Sequence, residues 1–308
     1  METLARGMTY VDLDFLGRPR VIATAVIQSA RGVVLIDPGP STCLATLQSA
    51  PNAQGIRWGD VTMILLTHIH LDHAGACGSI VNKNPAVTVY VHERGAPHMV
   101  DPSKLLVSAG RLYGDDMERL WGEFVPVPAE NVHRLSGGEH LAVADRELEV
   151  AYTPGHASHH VAYFDRSSGV AFVGDTAGVR TGPELFVLPP TPPPDIRIEE
   201  WSDSISLIRN WRASTLFATH FGPHGDVDAH LDALVEHLSA LSEMGRRSLE
   251  RGDLRDDDAR QNAFVEEIRL YLQRHVPPAE VAHYDSAAPL SQCWLGLARY
   301  WRKKGVGV

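Results

Sequence analysis

Cysteine is scarce: the 308-residue chain has three, Cys43, Cys77 and Cys293. An odd number at such wide intervals implies no disulfide framework. No stretch comes near the roughly 18 continuous apolar residues of a membrane span. The start, Met1-Glu-Thr-Leu-Ala-Arg-Gly7, has neither the basic residues nor the apolar run of a secretory signal. These absences set the expectation of a soluble, cytoplasmic protein that engages no membrane. Positive charge is also short. The formal net charge is −10, and the basic clusters are brief, at Gly245-Arg-Arg247 and Arg299-Tyr-Trp-Arg-Lys-Lys304. Phosphate binding relies on massed Lys and Arg, so no nucleic-acid partner is expected. A small-molecule substrate is expected instead, with a homodimer left open. No Gly-x-Ser-x-Gly elbow and no Cys-His pairing supplies a side-chain nucleophile.

Histidine and aspartate stand where those groups are missing. Leu66-Thr-His-Ile-His-Leu-Asp-His73 puts His68, His70, Asp72 and His73 directly after the apolar run Val61–Leu66, which reads as a buried strand. Four such side chains at a strand terminus cost desolvation unless something binds them. Imidazole and carboxylate are ligands that zinc and similar cations prefer. The pattern recurs downstream. His156 follows the strand-like Arg146–Tyr152 in Thr-Pro-Gly-His, Asp175 ends Phe-Val-Gly-Asp, and His220 ends Leu-Phe-Ala-Thr-His. Asp37 ends Val-Val-Leu-Ile-Asp and precedes Pro38-Gly39. Each stands at a strand end with Gly or Pro nearby for a turn. Five such units converging on one rim read as a metal site.

At these residues the chain resembles the metallo-β-lactamase-fold hydrolases, a superfamily that includes glyoxalase II-like and lactonase-like enzymes. Its His-x-His-x-Asp-His signature is matched by His68, His70, Asp72 and His73. The later ligands match in order at His156, Asp175 and His220, and the early turn matches at Asp37-Pro-Gly39. The resemblance covers roughly residues 8–225. It implies an α/β fold, a four-layer αββα sandwich of two mixed sheets flanked by helices. It also implies two divalent metal ions, most simply zinc, with iron or manganese as alternatives. His68, His70 and His156 would hold one ion, Asp72, His73 and His220 the other, and Asp175 would bridge them. Two metals about 4 Å apart hold a hydroxide and stabilise the oxyanion formed on attack. Asp72 would also serve catalysis by taking the hydroxide's hydrogen bond and assisting the leaving group. Asp37 and His160 are expected behind the ligands, Asp37 orienting a histidine. His224 competes with His220, and strand-end position favours His220.

The expected layout is a catalytic domain over 1–225, with a helical insertion at about 93–122, and a helical extension over 226–308 packed on it. Strands are expected at 8–14, 20–28, 32–36, 61–66, 87–91, 140–144, 146–152, 160–165, 170–174 and 215–219. The proline run Leu188–Asp195 should lie stiff along the rim. The expected reaction is hydrolysis of a carboxylic ester or lactone. The alternatives are a phosphodiesterase or RNA-processing nuclease, and a mononuclear-iron persulfide dioxygenase. Asp175 is followed by Thr-Ala-Gly-Val-Arg180, without the tyrosine that lactonases of this fold carry there. Tyr113, Trp121, His159 and Arg180 are candidate substrate contacts, and Phe186 a further candidate pocket wall. Arg180 is the single cation flanking the motifs, so a neutral, mainly apolar acyl compound is expected.

Overall fold

Why these segments become strands is visible in their alternation. In Ala23–Ser29, Ala23, Ala25 and Ile27 face one core while Val26 faces another. In Gly32–Ile36, Val34 and Ile36 face the first of these cores, and Val33 and Leu35 the second. Period-two burial on both faces marks strands covered on both sides. In the computed structural model, which describes residues 1–307, these strands lie side by side in an αββα sandwich.

The first sheet follows chain order: β1 (Glu2–Ala5), β2 (Met8–Asp12), β3 (Ala23–Ser29), β4 (Gly32–Ile36), β5 (Val61–Leu65), β6 (Thr88–His92) and β7 (Val132–Leu135). It is antiparallel from β1 to β4 and parallel from β4 to β7. The second also follows chain order: β8 (His140–Val143), β9 (Arg146–Tyr152), β10 (Val161–Asp165), β11 (Val170–Phe172), β12 (Thr215–Ala218) and β13 (Gly222–His224). Its one parallel pair is β11–β12. Between the sheets pack Met8, Ile27, Ile36 and Leu65 from one side and Val150, Tyr163, Phe172 and Phe217 from the other. Full burial of such side chains is worth roughly 1.5–3 kcal/mol each.

Helices cover the outer faces. On the first sheet lie α1 (Leu44–Asn52), α2 (Leu71–Ala74) and α3 (Cys77–Lys83), followed by α4 (Ala96–Val100), α5 (Ser103–Tyr113) and α6 (Met117–Trp121) of the insertion. On the second lie α7 (Ile198–Asn210) and α8 (Val227–Glu250). The chain ends in α9 (Asp257–Leu272), α10 (Pro278–Ala287) and α11 (Leu290–Lys303), which share a core with one face of α8 and with Val179, Phe186 and Leu188. No helix among the described residues is long and apolar enough to cross a membrane.

Several expected boundaries move. The strand expected at 20–28 begins at Ala23, because Arg20 is left-handed at φ 61 and its amide is held by the Asp12 carboxylate. The strand expected at 8–14 ends at Asp12, before the left-handed Asp14 at φ 48. Four elements lack an expected counterpart: β1, β7, β13 and α7. The strands are three or four residues long and gain their order from the neighbours they pair with. Helix α7 was legible, since Trp201, Ile205 and Ile208 recur at helical spacing and are buried. Its charged residues and the preceding prolines masked it.

Candidate metal centre

Strand ends carry the site. Thr67 and His68 follow β5, Asp37 follows β4, and Thr219 and His220 follow β12. His156 follows β9 after Gly155, which sits at φ 134 where a Cβ would lie 2.3 Å from the Trp201 backbone. Asp175 follows β11 after Gly174, where a Cβ would lie 2.5 Å from Thr67 Oγ1. Both glycines stand before ligands because the backbone there passes too close to its neighbours for any side chain.

The candidate ligand atoms form two sets, each drawn to within 4.8 Å: His68, His70, His156 and Asp175, and Asp72, His73 and His220. Asp175 spans them. Its Oδ2 lies 3.4 Å from His156 Nε2 and 4.0 Å from His68 Nε2, while its Oδ1 lies 3.2 Å from His73 Nε2 and 3.6 Å from His220 Nε2. Asp72 Oδ2 lies 3.3 Å from His220 Nε2 and 3.8 Å from His73 Nε2.

The outward nitrogens are already committed. Nδ1 of His156 bonds the Pro190 carbonyl at 2.8 Å, and that of His220 the Val21 carbonyl at 2.6 Å. Nδ1 of His68 bonds Thr67 Oγ1 at 3.1 Å, and that of His73 bonds Asp37 Oδ2 at 2.9 Å. Each bond places a proton on Nδ1 and turns Nε2 inward, where a cation would bind. At His73 and His220 burial alone would lower the rings, but the Asp175 and Asp72 carboxylates outweigh it and raise both, so a metal would displace a proton there. His70 instead presents Nδ1, 3.0 Å from both His68 Nε2 and His156 Nε2.

These residues fit two divalent ions. His73 Nε2, His220 Nε2 and Asp175 Oδ1 are buried without any hydrogen-bond partner. The three atoms converge, Asp175 Oδ1 facing the two nitrogens at 3.2 and 3.6 Å, and a cation between them would satisfy all three. Burial holds the His68, His70 and His156 rings below their ordinary range, helped by their neighbouring imidazoles at His68 and His70, with His70 at about 4. Neutral rings are what metal binding requires. At Asp72 burial alone would raise the carboxyl, but His73 and His220 outweigh it and bring it to about 2. At Asp175 the same contest, against His73, His220 and His156, also leaves the carboxyl well below its usual range.

Behind the ligands, Asp37 accepts from Thr67 N, Thr67 Oγ1, His73 Nδ1 and Thr219 Oγ1, all within 2.9 Å. It takes a left-handed backbone, φ 50, which Asp tolerates better than most residues. His160 is buried, with Nδ1 2.8 Å from Thr153 Oγ1 and 3.0 Å from Thr176 Oγ1, and its ring stacks on His68 at 5.1 Å. His224 lies against His230 at 4.8 Å, outside both ligand sets.

A cavity of about 310 Å³ opens over His70, Asp72, His156 and Asp175. The insertion supplies Leu105, Leu112 and Tyr113, the proline run supplies Pro190 and Pro192–Pro194, and the C-terminal helices supply Ala287, Ala288 and Gln292. The run is tied down where Thr191 Oγ1 donates to the Cys293 carbonyl at 3.2 Å and Arg299 to the Pro194 carbonyl at 3.3 Å. Tyr113 and His159 line the cavity as expected. Trp121 does not: it stacks on Phe15 at 5.5 Å and meets Tyr113 edge-on at 5.0 Å, inside the insertion's core. Arg180 does not either, because its guanidinium is spent on Asp226 at 2.8 Å and on the Glu184 carbonyl at 3.0 Å. Phe186 is buried with His237 and Tyr284. Arg94, His98 and Lys104 enter the lining instead. They lie far in sequence from every ligand motif, so no local pattern announced them.

The family model described as the metallo-beta-lactamase superfamily matches residues 17–220. The chain belongs to this superfamily. A metallo-beta-lactamase family protein from Thermus thermophilus has the same fold, with a TM-score of 0.70 at 24% identity over 98% of this chain and 95% of that one. A probable metallo-hydrolase of Bacillus subtilis is 23% identical over 306 residues, 92% of this chain and 95% of the relative. A hydroxyacylglutathione hydrolase of Legionella pneumophila (strain Lens) is 25% identical over 185 residues, 59% of this chain and 58% of that enzyme. Membership in the metallo-β-lactamase superfamily supports a metal-dependent hydrolase, and the His/Asp cluster is where a divalent metal would bind.

Proposed function

We propose that the protein is a dinuclear metal-dependent hydrolase acting on a carboxylic ester or lactone. One observation carries the reading: the two oxygens of Asp175 face separate sets of inward-turned imidazoles. Two divalent ions, with zinc the simplest choice, would supply an activated water near neutral pH and a Lewis acid for a carbonyl. His68, His70 and His156 would hold one, Asp72, His73 and His220 the other, and Asp175 both. A mononuclear-iron enzyme would not need the second set, and the convergence of Asp72, His73 and His220 to within 4.8 Å favours two ions.

The chain's own groups complete the chemistry. Asp72 is the ligand most open to the cavity among the carboxylates, its side chain 20% exposed against 5% for Asp175. A low-lying carboxylate there accepts a hydrogen bond from the attacking water and can pass that proton to the departing oxygen. Tyr113 brings a phenol to the cavity wall from α5, although the stretch after Asp175 has none. Burial, then the Asp72 charge, pushes its hydroxyl well up, so it stays a donor for the substrate carbonyl. Burial pushes the thiols of Cys43, Cys77 and Cys293 up, so none supplies a thiolate nucleophile.

Elemental analysis combined with a substrate panel tests the proposal. Two zinc-class ions per chain are expected, with turnover of lactones or aryl esters above that of phosphodiesters. One iron per chain without zinc, or a clear phosphodiester preference, would overturn it.

A further inference from the structure

The cavity over the metal centre combines apolar side chains with basic ones in its lining. Arg94 and Lys104 line it, and His98 adds a third nitrogen donor. Neither Arg94 nor Lys104 forms an ion pair among the described residues, whereas most other arginines of the chain do. Arg94 is nonetheless held in place. Its guanidinium sits 5.5 Å from the centre of the Tyr152 ring. That ring is fixed by a stack on His92 at 4.5 Å and by its hydroxyl bond to the Ser158 carbonyl at 3.0 Å. Lys104 projects from the first turn of α5, the helix that also supplies the apolar wall.

No acidic side chain of the lining forms an ion pair with either cation among the described residues. Asp72 and Asp175 belong to the ligand sets, and Asp195 Oδ2 takes the Ser158 hydroxyl at 2.6 Å. A guanidinium free of ion pairs, held 5.5 Å from the centre of an aromatic ring in the lining of a cavity, can receive an anion.

We propose that the substrate carries an anionic group, carboxylate or phosphate, remote from the bond that is cleaved, and that Arg94 and Lys104 receive it. The proposal rests on the ester or lactone reading of the same cavity. It replaces the neutral substrate that Arg180 alone would have allowed. The apolar side chains of Leu105, Leu112 and Tyr113 take the connecting carbon chain, and Arg94 and Lys104 of the same lining take the anion.

Calorimetric titration of the zinc-loaded protein tests this without turnover. Straight-chain dicarboxylates from succinate to suberate are compared with monocarboxylates of equal length, and with the corresponding ω-phosphorylated acids. The best dianion should bind about tenfold or more tightly than its monocarboxylate, and high salt should shrink the advantage. In the double variant R94A/K104A the advantage should fall to near one. Whichever terminus gains more in the wild type identifies carboxylate or phosphate as the natural group. Equal affinity for mono- and dianion, or an advantage that survives the double variant, overturns the proposal. Hydrolysis of phenyl hexanoate by the wild type is followed separately. No turnover of any ester or lactone, with the dianion preference intact, would sink the ester reading and leave the anion receptor standing.

Discussion

Asp37 Oδ2 lies 2.9 Å from His73 Nδ1, and the same carboxylate takes bonds from Thr67 and Thr219. Thr67 follows β5 in one sheet and Thr219 follows β12 in the other, so one buried side chain joins both sheets beneath the metal centre. Replacing it should therefore affect binding and folding together. Asp37→Ala should weaken the ion held by Asp72, His73 and His220 by about 10–100-fold. It should also lower stability by roughly 3 kcal/mol, because several buried donors lose their acceptor. Asp175→Ala should instead lose both ions at once. Chelator competition with elemental analysis reads the difference, and equal metal loss in the two variants would show that Asp37 is itself a ligand.

Tyr113→Phe removes a hydroxyl and leaves the ring that packs on Trp121. We expect kcat/KM to drop about tenfold, mainly through kcat, with metal content unchanged. Unaltered kinetics would leave Tyr113 as wall and nothing more.

Gly155→Val places a side chain where a Cβ would meet Trp201 Cα at 2.3 Å, at a backbone φ of 134. Either His156 or α7 must shift. A loss of roughly 3 kcal/mol or more is expected in urea unfolding, together with loss of metal. A variant with wild-type stability and metal content would contradict this packing.

Two histidines outside both ligand sets should shape the acid limb of stability. Burial brings His230 to about 4, opposed by its bond to the Ala177 carbonyl, and burial with the neighbouring His275 brings His237 to about 4. The unfolded chain takes up these protons near the ordinary value of about 6.5, before the folded one does. Stability is therefore full above that value and falls as pH drops towards 4. The fall is on the order of 2–3 kcal/mol for His230 and less for His237, where solvent screens more of the effect. His237→Phe, which keeps the contact with Phe186, should flatten the fall in denaturant unfolding between neutral pH and pH of about 4.5. Superimposable pH profiles for the two proteins would refute it.

The sequence by itself determined the set of candidate ligands and the strand ends that carry them. His68, His70, Asp72 and His73 are four positions of one strand-end turn, and His156, Asp175 and His220 repeat the pattern of a ligand at a strand end. Such signals are local, since alternation of apolar residues and a glycine beside a ligand depend on neighbours in the chain. The two-sheet architecture came with the family resemblance that these motifs carry. Tertiary structure alone decided what surrounds the metals. Trp121 and Arg180 looked available, but Phe15 and Asp226, distant in sequence, had already taken them. Arg94 and Lys104 carried no motif, yet the fold places both in the lining of the cavity. A side chain's partners depend on contacts made across the fold, where sequence spacing carries no distance, and so substrate charge became readable only once the chain had closed on itself.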